Sequence, residues 1–149
     1  MAAARPDIRL TPEEQAAFLR ENRKCALATI DQHGFPHVVA MNFLYRDGAF
    51  YMTSYGKAQK VLNIRRDAKV GVMVEAGASY AELKGVMVRG ECEIIDEPER
   101  VREIFSWLAE GRTSSRPSGS GQSVPKRVVL KILPHKLMTW DHNKLGGRY

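Results

Sequence analysis

The sequence predicts a mainly β, α+β fold: a closed or partly open antiparallel barrel of six or seven strands with about three attached helices. Three observations predict it. Short apolar runs rich in β-formers are joined by tight turns, which makes the sheet mainly antiparallel. Helical stripes stand between some strands but not after every one, unlike the regular alternation of a doubly wound sheet. Residues 80–95 form one long strand-like segment containing Gly85 and Gly90, and strands bent at glycines are how a small sheet curls.

Taken in order, residues 1–10 read as a lead-in. Thr11-Pro12-Glu13-Glu14 opens a helix, with Thr11 as N-cap, Pro12 at the first helical position and Glu14 closing a capping box; the helix runs to about Asn22. Residues 25–30 (CALATI) are a short apolar strand, and Asp31 to Gly34 a turn in which Gly34 can take positive φ. Residues 37–45 (HVVAMNFLY) form the second strand. Val39, Met41 and Phe43 fall on one side, Val38, Ala40 and Leu44 on the other, so the strand needs cover on both faces. Asp47-Gly48 is a hairpin turn.

The third strand, residues 49–54, leads through Tyr55-Gly56 into a helix over 57–66, whose stripe is Ala58, Val61, Leu62 and Arg65. Residues 69–75 are a fourth strand and 76–79 a turn before the long 80–95 strand. Asp96, Pro98 and Glu99 start the third helix with a second capping box, Val101, Ile104, Phe105 and Leu108 form its stripe, and Gly111 stops it. Residues 112–125 (RTSSRPSGSGQSVP) are Ser/Gly-rich and read as a mobile loop. Residues 126–133 and 137–140 supply a sixth and a seventh strand. The whole is one domain over 11–145.

Composition narrows the function. At 149 residues, 44% hydrophobic and 27% charged, the chain is an ordinary globular domain. No apolar run approaches the roughly 20 residues of a membrane span, and the N-terminus lacks the apolar core of a secretory signal, so a cytoplasmic setting without membrane contact is expected. Cys25 and Cys92 sit in apolar runs and read as buried free thiols. His33, His37, His135 and His142 have no metal spacing, and no metal is expected. A net charge of +6 favours an anionic partner. Nucleic acid is not expected, because the aromatics lie inside strand patterns rather than interleaved with cations.

The most informative stretch is residues 50–66, FYMTSYGKAQKVLNIRR. Helix starts favour acidic residues, because free N–H groups and the dipole make that end positive. Here Lys57 and Lys60 stand there, one turn apart. With the hydroxyls of Thr53 and Ser54 and the backbone N–H groups after Gly56, they compose a cradle for a phosphate.

The run from Ala26 to Glu75 (ALATIDQHGFPHVVAMNFLYRDGAFYMTSYGKAQKVLNIRRDAKVGVMVE), then YAELKGVMVRGECEIIDEPERV, then WDHNKLGG, resembles the pyridoxamine 5′-phosphate oxidase-like split β-barrel proteins, and within them the small flavin and deazaflavin oxidoreductases. The resemblance covers about residues 11–145. It implies a homodimer with the cofactor in a groove between subunits. It matches His37, Val38, Val39, Ala40, Met41 and Asn42 to the strand along the flavin ring, Thr53, Ser54, Lys57 and Lys60 to the phosphate-binding set, and Trp140 to a segment near the cofactor. The chain departs from the family's pyridoxamine phosphate oxidases: Lys84-Gly85 replaces a glutamine, and no arginine-bearing C-terminal segment is present. The implied activity is therefore hydride transfer to or from a small organic substrate with bound F420, the basic balance favouring its longer anionic tail, or with FMN as the alternative. An FMN-dependent oxidase or electron-transfer protein, and a non-catalytic flavin- or F420-binding module, are the competing readings. No catalytic residue is indicated, since the cofactor carries the redox chemistry.

Overall fold

A computed structural model describes residues 4–110 and 126–147. The segment 112–125, expected to be a mobile loop, and the expected helix stop at Gly111 lie outside the described residues. Among the described residues seven strands form a single, wholly antiparallel sheet: β1 (Lys24–Ile30), β2 (Pro36–Asn42), β3 (Leu44–Arg46), β4 (Ala49–Tyr55), β5 (Lys69–Ala76), β6 (Lys84–Ile95) and β7 (Arg127–Asp141). Their spatial order is β2-β1-β5-β6-β7-β4-β3. Among the described residues three α-helices accompany them: α1 (Pro12–Glu21), α2 (Gln59–Arg66) and α3 (Pro98–Ala109).

The order and the chain together force the sheet to curl. β2 and β3 are its opposite edges, yet only Phe43 joins them. Two Cα steps span at most about 7 Å, so the edges must converge. Phe43 closes the seam: it is buried, its N–H donates to the Arg23 carbonyl at 2.8 Å, and its ring meets Phe50 at 5.4 Å. β2 also lies close to β4 without pairing with it. A mainly β antiparallel split barrel is the result.

The barrel interior is filled by the inward positions of the strands, including Leu27, Phe50, Met52, Val72, Val74, Val86, Val88, Leu130 and Ile132, and capped by Val61 and Ile64 of α2. A second, smaller core packs Val101 and Ile104 of α3 against Ala49, Tyr51 and Val129 on the outer surface of β4 and β7. Cys25 and Cys92 are buried and unbridged, as their apolar runs predict.

The α1 capping box forms as expected: Thr11 Oγ1 accepts from Glu14 N–H at 3.2 Å and Glu14 Oε1 from Thr11 N–H at 3.0 Å. Gly34 has φ 82°, and the Asp47-Gly48 turn has φ 49° and 77°, the double positive φ of a tight hairpin. Several boundaries differ from expectation. The 37–45 strand is two strands, broken where Phe43 turns into the seam. The long strand starts at Lys84 rather than residue 80, because Tyr80–Glu82 is a 3-10 turn held by the tail: the His142 N–H donates to the Leu83 carbonyl at 2.8 Å, and its ring Nδ1 lies 2.7 Å from the Tyr80 carbonyl.

The sixth and seventh strands are one continuous β7. Pro134 does not end it, because the register against β6 slips between Arg89 and Gly90 and the strand passes Pro134 in a bulge. A Cβ at Gly90 would collide with the Leu133 carbonyl there. The second capping box does not form; Glu97 is the N-cap of α3 and makes no side-chain cap bond. Within the lead-in, the Leu10 N–H donates to Thr139 Oγ1 at 2.9 Å and the Ile8 carbonyl accepts from Asp141 N–H at 2.7 Å, tying the start of the chain to its end.

Candidate functional site

β2 is an edge strand, so the side of its backbone away from β1 has no strand partner among the described residues. Val39 and Met41 pack on the barrel core. The opposite face points outward: Val38 is 61% exposed, and Ala40 and Asn42 are exposed beside it. His37 is half-buried, and its Nδ1 is buried without a hydrogen-bond partner. It stands opposite Thr29, whose Oγ1 accepts from the fully buried Asn63 amide at 3.0 Å.

The β4–α2 connection is tighter than a helix over 57–66 would be. The Gly56 N–H donates to the Lys126 carbonyl and the Ala58 N–H to the Tyr55 carbonyl, each at 3.0 Å, closing a turn that delays the helix to Gln59. Lys57 therefore precedes the helix, and only Lys60 lies in its first turn; the two are not one helical turn apart. Ala58 provides no side-chain cap and the first turn has no acidic residue, so the positive end of α2 is offset by nothing in its own first turn.

Thr53 and Ser54 point to opposite faces of β4. Thr53 lines a cavity of about 540 Å³ at the barrel seam, together with Asn42, Arg23, Lys24, Leu44 and Trp107. Ser54 is buried, and its hydroxyl donates to the Tyr55 carbonyl at 3.4 Å. Lys57 lines a different cavity of about 470 Å³, with Gly56, Arg65, Asp96 and Lys126. Arg65 stands 4.0 Å from Asp96, whereas Lys57 and Lys126 make no ion pair among the described residues. The hydroxyls and cations expected in one cradle are thus divided: Asn42 with Thr53, and Lys57 with two further cations. Trp140 lies elsewhere, on the outer sheet face, packed over Gly85.

That outer face carries a further feature. Ala40, Ala26, Met73, Met87 and Met138 stand in register across five adjacent strands. Met73 is 41% and Met138 39% exposed. An apolar stripe this broad marks an interaction surface more often than a monomer exterior. Sequence reading missed it because register, not sequence, aligns these residues. It also missed Arg23, Lys24, Trp107 and Lys126. The adjacent cations at 23–24 and an indole off the apolar stripe of α3 were the available signals.

Burial shapes the remaining ionisable groups near the core. The Cys25 and Cys92 thiols are pushed up to about 12, chiefly by desolvation and, for Cys92, also by the Glu93 charge. They are inert thiols rather than nucleophiles. No group of His, Cys, Asp and Glu among the described residues is arranged to hold a metal. No helix among them is long and apolar enough to cross a membrane.

Comparison with known proteins accords with this architecture. The family model described as pyridoxamine 5′-phosphate oxidase matches residues 11–141. The F420H2-dependent biliverdin reductase of Mycobacterium tuberculosis is 25% identical over 134 residues, covering 89% of each chain. A conserved hypothetical protein from Mycobacterium tuberculosis superposes with a TM-score of 0.84 at 34% identity, over 99% of this chain and 95% of that one. A structure described as an F420 reductase shares the fold, with a TM-score of 0.66 at 24% identity, over 86% of this chain and 98% of its own. Seven antiparallel strands curled to a seam, together with a family match across nearly the whole described chain, place this protein in the pyridoxamine 5′-phosphate oxidase family.

Proposed function

We propose that this chain is an oxidoreductase that binds F420, with FMN as the alternative, and transfers hydride to or from a small organic substrate. The observation that carries the reading is the cavity beside the β4–α2 turn, where Lys57, Arg65 and Lys126 stand around the single carboxylate of Asp96, and where Lys57 and Lys126 make no ion pair among the described residues. Cations spread over that cavity suit an extended polyanion better than a single phosphate. The F420H2-dependent relative supports the choice of cofactor.

In this reading the unpaired backbone edge of β2, from His37 through Val38, Val39, Ala40 and Met41 to Asn42, offers N–H and C=O groups to the polar rim of the ring. Thr53 binds along the linker between ring and phosphate, Ser54 holds the strand end, and Lys57 and Lys60 bind the anionic portion. When bound, the cofactor supplies the hydride or electron chemistry. The protein's own part is to orient the ring and keep water from it. Pyridoxamine phosphate oxidation is not proposed, because Lys84-Gly85 stands where that activity's glutamine would be.

The protein acts as a homodimer in this proposal, with the stripe from Ala40 to Met138 as the buried surface and Trp140 on the same face. Burying that stripe removes apolar area that a monomer leaves in water.

Titration of the purified protein with F420 and with FMN, followed by ligand fluorescence, tests the reading. Tighter binding of F420 and hydride transfer from its reduced form are expected. Absorbance and mass spectrometry of ligand released from the purified protein identify which cofactor it carries. Failure to bind either would overturn the proposal, and FMN binding alone would select the alternative.

A further inference from the structure

We propose that the seam cavity is a substrate pocket for a planar, conjugated molecule bearing a carboxylate. The inference rests on the oxidoreductase reading above and names the substrate class it leaves open. The cavity encloses about 540 Å³, within the range of small-molecule sites. It lies where the edges of the barrel converge, beside the Asn42 end of the strand proposed to meet the cofactor ring.

Three kinds of wall define its chemistry. Arg23 and Lys24 both line it, and neither side chain makes an ion pair or hydrogen bond among the described residues. Against them stands one carboxylate, Glu110, so the cavity is net cationic. Two positive charges at a cleft partly walled by Phe43, Leu44 and Leu108 attract an anion and hold it more strongly than they would in open water. Asn42 and Thr53 contribute neutral donors and acceptors suited to a conjugated carbonyl.

The third wall is Trp107. Its indole is held in place by its neighbours: the Arg46 guanidinium lies 4.2 Å and that of Arg100 5.8 Å from the ring centroid, and Tyr51 meets it edge-on at 5.4 Å. Trp107 lines the cavity, and an indole held in this way loses little entropy when a flat ligand packs against it. Cations, neutral hydrogen-bonding groups and an indole together select a flat acid.

The test uses the full chain, with trans-cinnamate as probe and trans-cinnamamide as its neutral isostere. Trp107 reports binding by fluorescence, and Trp140→Phe removes the other indole. Saturable quenching is expected, with cinnamate bound at least tenfold more tightly than the amide. The exposed-site variant Arg23→Gln/Lys24→Gln should weaken cinnamate at least tenfold and leave the amide unchanged. Trp107→Phe should abolish the signal, while calorimetry still detects weaker binding. Equal affinity for acid and amide, or insensitivity to the double variant, would overturn the inference. F420 and FMN are titrated into the same preparations. If cofactor binds but cinnamate does not, only the substrate pocket fails. If the double variant weakens cofactor and not cinnamate, the cavity belongs to the cofactor and the inference is overturned. If no cofactor binds, the oxidoreductase reading itself fails.

Discussion

The indole of Trp140 lies directly over Gly85 on the neighbouring strand, in the space that a Cβ at Gly85 would occupy. An alanine in a strand normally gains over glycine by restricting the unfolded chain. Here the added methyl must displace the indole, so Gly85→Ala should destabilise the fold by about 1–3 kcal/mol, the range of overpacking. Combining it with Trp140→Ala should recover part of that loss. Urea denaturation of the single and double variants measures the coupling.

Lys57 and Lys60 differ in position, and their substitutions should differ in effect. Lys57→Ala should weaken F420 binding by about 1.5–3 kcal/mol, the scale of a charge-assisted hydrogen bond, or roughly tenfold to over a hundredfold in Kd. Lys60→Ala should cost less, because Lys60 does not line the cavity that holds Lys57, Arg65 and Lys126. The melting temperature without cofactor should hold or rise slightly, since a cation near a positive helix end is unfavourable. Unchanged affinity in the double variant would mean that this cavity is not the anion site.

A charge on the methionine stripe should separate the proposed dimer. Met73→Glu combined with Met138→Glu places two carboxylates on side chains that are already part-exposed in the single chain, so each subunit keeps its core. Light scattering at micromolar concentration should report the mass of a dimer for the parent and of a monomer for the variant. A monomeric parent would refute the assembly.

Acid should loosen the link between the two ends of the chain. The Lys144 ammonium, 2.7 Å from Glu14, and the Thr11 N–H lower the Glu14 carboxyl from its ordinary 4.5 to about 2. A depressed carboxylate stabilises the fold above its unfolded value, and that contribution is lost as pH falls through the folded one. Stability should therefore decline from about pH 4.5 toward pH 2. The part due to Glu14 is the part missing from the pH profile of Glu14→Gln, measured by thermal melts.

The thiols should be silent in the folded protein. With Cys25 and Cys92 pushed up to about 12 by burial, almost no thiolate exists at pH 8. A colorimetric disulfide reagent should label neither cysteine in buffer and both in urea. Prompt labelling of the native chain would show that the barrel opens locally.

The sequence by itself determined the elements whose causes are local. Thr11 and Glu14 carry their capping box within four residues, and Gly34 and Asp47-Gly48 carry the φ angles their turns require. Alternation of Val38 with Val39 and of Ala40 with Met41 already divides β2 into an inner and an outer face, and the lack of acid before Lys60 already marks an unusual helix start. What the sequence could not contain is whatever depends on which strands become neighbours. Only the sheet order makes β2 and β3 converging edges and turns Phe43 from a strand residue into a seam. Only the register aligns Met73, Met87 and Met138, lays Trp140 over Gly85 and carries β7 past Pro134. Only the long-range bond from Gly56 to Lys126 groups Lys57 with Lys126, 69 residues away in the chain. Backbone propensity and capping act over a few residues, whereas a pocket is assembled by hydrogen bonds and packing between segments whose separation in sequence has no bearing on their distance in space.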